Sequence, residues 1–179
     1  FGYAFKRPPE WAGEDAPYAP AIRHALEAIQ PSGYQPDDLV VHLRPTAPFR
    51  TVADINEVVK RLQRLPADSI ISVRPATQHP KKCFVETGET IGIFPELVAY
   101  TGASALGEAS QGLQKVWHAA GFVDASKIGV FLREGRVDCG VVMGWPVPTS
   151  RDADLDTETD WAIAEGLAVR NNWKPGIVS

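Results

Sequence analysis

LVVHLRPTAPFRTVADINEVVKRLQRLPADSIISV, residues 39–73, decides how this chain is read. It opens on a nearly continuous apolar run, Leu39-Val40-Val41-His42-Leu43. Such a run suits a strand buried on both faces, as in a parallel sheet. The two prolines of RPTAPFR (44–50) then force a loop, because proline lacks an N–H and restricts the residue before it. Thr51 and Asp54 form a capping box, and Ile55, Val58, Val59, Leu62 and Leu65 follow at helical spacing until Pro66. Ser69-Ile70-Ile71-Ser72-Val73 is a second short apolar run. Strand, helix, strand predicts a right-handed βαβ unit in a mainly parallel sheet. In such sheets ligands sit beyond the carboxyl ends of the strands, where RPTAPFR and RPATQHPKK (74–82) both lie.

Outward from this unit, residues 18–30 read as a helix with Ile22, Leu26 and Ile29 on one face, closed by Pro31-Ser32-Gly33. Residues 115–124 and 138–143 read as short strands. Residues 83–112 are rich in glycine and irregular, and read as an excursion from a single domain spanning 1–179. A last helix is predicted over 158–170, with Trp161, Ala164, Leu167 and Ala168 on one face.

The length of 179 residues suits one domain with a sizeable core. A net charge of −4 gives no electrostatic footprint for nucleic acid or an anionic membrane. No apolar run reaches membrane-spanning length. Cys83 and Cys139 lack metal-binding spacing and read as reduced thiols, which points to a cytoplasmic protein. The only methionine is Met143, so sequence upstream of Phe1 is expected.

The densest chemistry lies in DLDTETDW (154–161), with four carboxylates in seven residues. Thr157 and Asp160 form a second capping box, and Glu158 and Asp160 then complement the dipole of the first helical turn. Asp154 and Asp156 precede the cap and are left unexplained by it. Two readings stay open for them: a solvated acidic loop, or a pair of oxygen donors sharing a hard cation such as Mg²⁺. A calcium loop counted from Asp154 fails, because Thr159 stands where glycine is required. His24, His42 and His118 read as structural.

Three stretches together resemble the acylneuraminate cytidylyltransferase family, the CMP-sialic acid synthetases and their relatives. They are Arg7-Pro8-Pro9-Glu10-Trp11-Ala12, similar to the family's RPxELA; VHLRPTAPFRT (41–51), similar to LQPTSPLRT; and DLDTETDW, similar to DIDTELDW. The resemblance implies a Rossmann-like, three-layer nucleotidyltransferase fold with a protruding dimerisation arm at 83–112. It implies transfer of CMP from CTP to a sialic-acid-like sugar acid, with pyrophosphate released, in a cytoplasmic homodimer. Asp154 and Asp156 would be catalytic and hold Mg²⁺. Arg44, Thr46, Arg50, Lys82 and Gln111 would bind the sugar acid, and Arg7 would lie near the nucleotide.

Three departures accompany the match. The family opens with a strand and phosphate-binding loop that would precede Phe1, and without it the chain is expected to be inactive. Arg44 stands where the family has a glutamine. The family's RQxLP…NG reads Ser110-Gln111-Gly112-Leu113-Gln114…Ala120-Gly121. These departures keep a second expectation open: a non-catalytic sugar-nucleotide-binding or dimerising module. A nucleotidyltransferase for another sugar is the third.

Overall fold

The computed structural model of the chain describes residues 6–13, 16–91 and 93–173. It is a mixed α/β protein, with the helices α1 (Tyr18–Ile29), α2 (Val52–Arg64), α3 (Ile128–Glu134) and α4 (Glu158–Arg170). The strands are β1 (Leu39–His42), β2 (Ser69–Pro75), β3 (Phe84–Ile91), β4 (Phe94–Ala99), β5 (Trp117–Ala119), β6 (Asp124–Lys127) and β7 (Val142–Pro146). The chain divides into two compact units. One runs up to Val73 and resumes at Ala119; the other is Arg74–His118, within which residues 83–112 fall.

The main sheet has the order β1-β6-β2-β5, with β7 also on β2. The expected mainly parallel sheet is not what these strands form. β6 is antiparallel to both β1 and β2 and lies between them, with Val41 opposite Ala125 and Ile70 opposite the same Ala125. β1 and β2 therefore share one direction, as a strand–helix–strand unit requires, but they do not pair. The registered parallel pairing is β2 with β7, from Ser69 opposite Val142 to Val73 opposite Pro146. The sequence pattern is blind to this insertion, because a short buried strand reads the same beside either kind of neighbour.

Side-chain alternation along the strands explains the layers. Leu39, Val41 and Ile70 face α2, whose Val58 and Leu62 are fully buried against them, with Phe122, Val123, Ala125 and Trp145. Val40 and Ile71 point the other way, into a cluster of Leu26 from α1 with Ile128, Phe131, Val137 and Cys139. Each fully buried aliphatic side chain contributes about 1.5–3 kcal/mol. β1 itself is half-buried along its length rather than closed on both faces.

Both capping boxes form. Thr51 accepts from the Asp54 N–H while Asp54 accepts from the Thr51 N–H at 2.8 Å; Thr157 and Asp160 repeat the pattern at α4, also at 2.8 Å. α3 was not anticipated, although Gly135, at φ 70° just past its end, is a C-terminal helix signal. The strand expected at 138–143 begins later, at Val142. The Asp68 carboxylate accepts from the Val141 N–H at 3.0 Å, and the N–H groups of Asp68 and Ser69 hold the Val141 carbonyl, so 138–141 is a gripped turn. In α4, Ala164 is buried with Leu167 and Ala168 packed beside it, but Trp161 is 58% exposed and donates to Glu165 at 3.1 Å instead of facing inward.

In the second unit, β3 and β4 pair as an antiparallel hairpin with Val85 opposite Val98 and Glu86 opposite Leu97. The irregular glycine-rich reading of 83–112 missed this hairpin, whose register shifts between Glu86 and Thr90.

Candidate functional site

Three stretches far apart in sequence meet at one open cleft of about 570 Å³. Arg7, before a short 3-10 turn at Pro9–Trp11, lies on one rim. Tyr18, Ala21, Ile22 and Ala25 line it from α1. His42, Arg44, Pro45 and Thr46 line it from the end of β1 and the loop beyond. Asp154 and Asp156 come from the segment before α4.

The loop after β1 and the acidic segment are joined by the backbone. The Leu155 N–H, between the two aspartates, donates to the Thr46 carbonyl at 3.0 Å. Beneath this contact Phe49, Ala153 and Ala164 form a small core with Leu155, Leu167, Ala168 and Trp173. The Phe49 and Trp173 rings meet edge-on at 5.3 Å. Asp154 and Asp156 are thus carried by a segment pinned at its backbone, by its neighbours' side chains and by the capped start of α4. Glu158 and Asp160 serve that helix, and the hydrogen bonds from Thr157 hold the exposed Asp160 carboxyl below its ordinary value.

Arg50 does not line the cleft. Its Nε donates to the Phe122 carbonyl at 2.6 Å, and its Nη2 to the carbonyls of Arg44 and, at 3.4 Å, Ala47. Its guanidinium also lies over the Phe122 ring, 6.0 Å from the centroid. Burial pulls this guanidinium below its ordinary value, against the Asp124 and Asp54 carboxylates. Arg50 therefore braces the turn that presents Arg44 and Thr46. Lys82 and Gln111 belong to the second unit. Lys82 Nζ donates there to the Glu108 carbonyl at 2.8 Å and to Ser110 Oγ at 3.2 Å, and Gln111 lies in the 3-10 turn Ser110–Gly112. His79 caps a neighbouring turn by accepting from the Lys81 N–H.

Residues that the sequence did not single out complete the cleft. The Tyr18 ring stacks on His42 with centroids 4.7 Å apart, and the Arg44 guanidinium lies over Tyr18 at 5.7 Å. His42, for which the sequence suggests a structural role, lines the cleft. Its Nδ1 is buried with no hydrogen-bond partner among the described residues. Burial lowers the pKa of His42, the Asp124 carboxylate opposes this, and Arg44 and Arg50 add to the lowering. His42 is accordingly the neutral imidazole at neutral pH, part of an aromatic floor. A signal existed for it: His42 stands near the end of the apolar run, just before the loop where ligands sit beyond a strand's carboxyl end.

The cleft thus opposes cations, Arg7 and Arg44, to a pair of carboxylates, Asp154 and Asp156. That polarity suits an anionic ligand bridged to a hard cation. Among the described residues no group of three or more His, Cys, Asp or Glu side chains is arranged to hold a metal ion. Asp154 and Asp156 both line the cleft, so two carboxylates border the same space. Among the described residues no helix is long and apolar enough to cross a membrane. No family model matches the chain, and no curated protein matches it.

Proposed function

We propose that this protein is a cytidylyltransferase that transfers CMP from CTP to a sialic-acid-like sugar acid, releasing pyrophosphate. The observation that carries this reading is the single cleft shared by the three stretches resembling that family, two of them tied by the Leu155–Thr46 backbone bond. On this reading the sheet is the core of a Rossmann-like nucleotidyltransferase. The protein works in the cytoplasm, and the β3–β4 hairpin is a homodimerisation arm.

Asp154 and Asp156 would hold Mg²⁺, which when bound neutralises phosphate charge and orients the nucleophile. The chain's own residues would act beside it by positioning. Arg7 at the rim faces the phosphates, and Thr46 offers a hydroxyl at the cleft wall. The α1 face (Ala21, Ile22 and Ala25) gives an apolar side against which a ring can lie.

The test is CTP binding in the presence of Mg²⁺, with pyrophosphate release over a panel of sugar acids. Asp156→Ala is expected to weaken CTP·Mg²⁺ binding at least tenfold, on the scale of one lost charged contact, and to abolish release. If the protein binds no CTP with Mg²⁺ and Asp156→Ala changes nothing, the reading fails. Binding without release would favour a non-catalytic sugar-nucleotide-binding module.

A further inference from the structure

Two arginines leave the same loop, and their surroundings differ. Arg50 has carbonyl acceptors at Phe122, Arg44 and Ala47. Arg44 has none: among the described residues its side chain makes no hydrogen bond and no ion pair, and its Nε is buried without a partner. Its guanidinium lies over the Tyr18 ring, 5.7 Å from the centroid. Its shaft lies across Gly121, where an added Cβ would sit 2.6 Å from Arg44 Cδ and 2.9 Å from Nε. Gly121 has φ 62°, so the backbone there favours glycine and leaves the space that Arg44 fills.

A partly desolvated cation without an anion is costly, and a guanidinium stays charged at any working pH. Arg44 is therefore placed at the wall of the cleft, over an aromatic face, with no carboxylate in ion-pair contact among the described residues. Its backbone carbonyl accepts from Arg50, so the second arginine fixes the position of the first.

We propose that Arg44, and not Arg50, receives the carboxylate of the acceptor, with Arg50 as the positioning residue behind it. This rests on the transferase reading above. A planar fork of N–H donors matches a planar carboxylate through two parallel bonds, which a lysine or glutamine cannot reproduce. The specificity that follows is for acids over their neutral esters or amides.

The experiment measures, by calorimetry on the whole protein, the affinity of the tightest-binding acid from a sugar-acid panel. The methyl ester of that acid and CTP·Mg²⁺ are measured in parallel. Arg44→Gln is expected to weaken the acid by about tenfold to a hundredfold while leaving CTP·Mg²⁺ unchanged. The ester should bind the native protein no better than it binds Arg44→Gln. Arg44→Lys, which keeps the charge and loses the fork, should fall between. Gly121→Ala, which retains the arginine but displaces its shaft, should also weaken the acid selectively. Unchanged acid affinity in Arg44→Gln and Arg44→Lys overturns the proposal, while Asp156-dependent CTP binding would leave the transferase reading standing. A loss of CTP affinity instead assigns Arg44 to a phosphate and also overturns it. If native protein binds neither ligand, both readings fall together.

Discussion

Arg151 reaches from a short turn after β7 to the capping box of α2. Its Nη2 donates to Asp54 Oδ1 at 2.8 Å, and its Nη1 to the other oxygen. Asp54 is buried, so burial works to raise its pKa. The hydrogen bonds from Arg151 and Thr51 outweigh this and hold it below its ordinary value. A carboxyl depressed in the folded state stabilises the protein above the unfolded pKa, near 3.8. That contribution is lost as pH falls through the lower folded value. Removing the cation should raise the Asp54 pKa toward its ordinary value. Arg151→Met is expected to cost about 2–3 kcal/mol at pH 7, by urea denaturation, because it leaves a buried carboxylate short of its partner. Its deficit should shrink in acid, where the native protein loses the same interaction. An equal deficit at pH 7 and pH 3 would show that Arg151 acts by packing alone.

Among the elements, α4 most directly joins structure to chemistry. Its capped N-terminus begins one residue after Asp156, so a change at the Thr157 cap is expected to reach that carboxylate through the backbone. The helix has apolar residues exposed as well as buried, with Ile163 at 55% and Val169 at 83%. It is held by its inner contacts and its cap rather than by a clean division of faces. Thr157→Ala is expected to lower stability by about 1 kcal/mol, measured by thermal unfolding. It should also weaken CTP·Mg²⁺ binding without removing either aspartate. Stability loss with unchanged CTP affinity would separate the cap from the site. α2 carries the same device at Thr51, and both boxes were legible as a Thr followed three residues later by an Asp. α3 was not, because its seven residues give too short an apolar pattern to stand out.

For the whole molecule, the second unit raises the question of its state in solution. A lone two-stranded hairpin is marginal in water. This one exposes Val85 and Val98 on one face, Leu97 on the other, and Tyr100 at 64% just past its end. On the dimer reading proposed above, this apolar surface is covered by a second copy of the chain. Leu97→Lys with Val98→Lys should convert a dimer to a monomer in analytical ultracentrifugation while leaving the circular dichroism of the helices unchanged. A native protein that sediments as a monomer at tens of micromolar would remove the dimerisation arm from the functional reading.

The sequence by itself determined the local events: where α1, α2 and α4 run, which threonines cap them, and that 39–43 and 69–73 are strands flanking a helix. These follow from backbone chemistry within a few residues, which spacing and residue type reveal. It also singled out Asp154 and Asp156, since a capping box accounts for only the other two carboxylates of DLDTETDW. Tertiary structure decided what depends on distant neighbours. It set β6 antiparallel between β1 and β2, because strand pairing joins residues some 80 positions apart, as Val41 and Ala125 are. It turned Arg50 inward onto three carbonyls and left Arg44 without a hydrogen bond or ion pair among the described residues, a difference that no feature of RPTAPFR announces. Which of two arginines six residues apart meets the cleft rests on Phe122, Gly121 and Tyr18, all remote in the chain and adjacent only once it has folded.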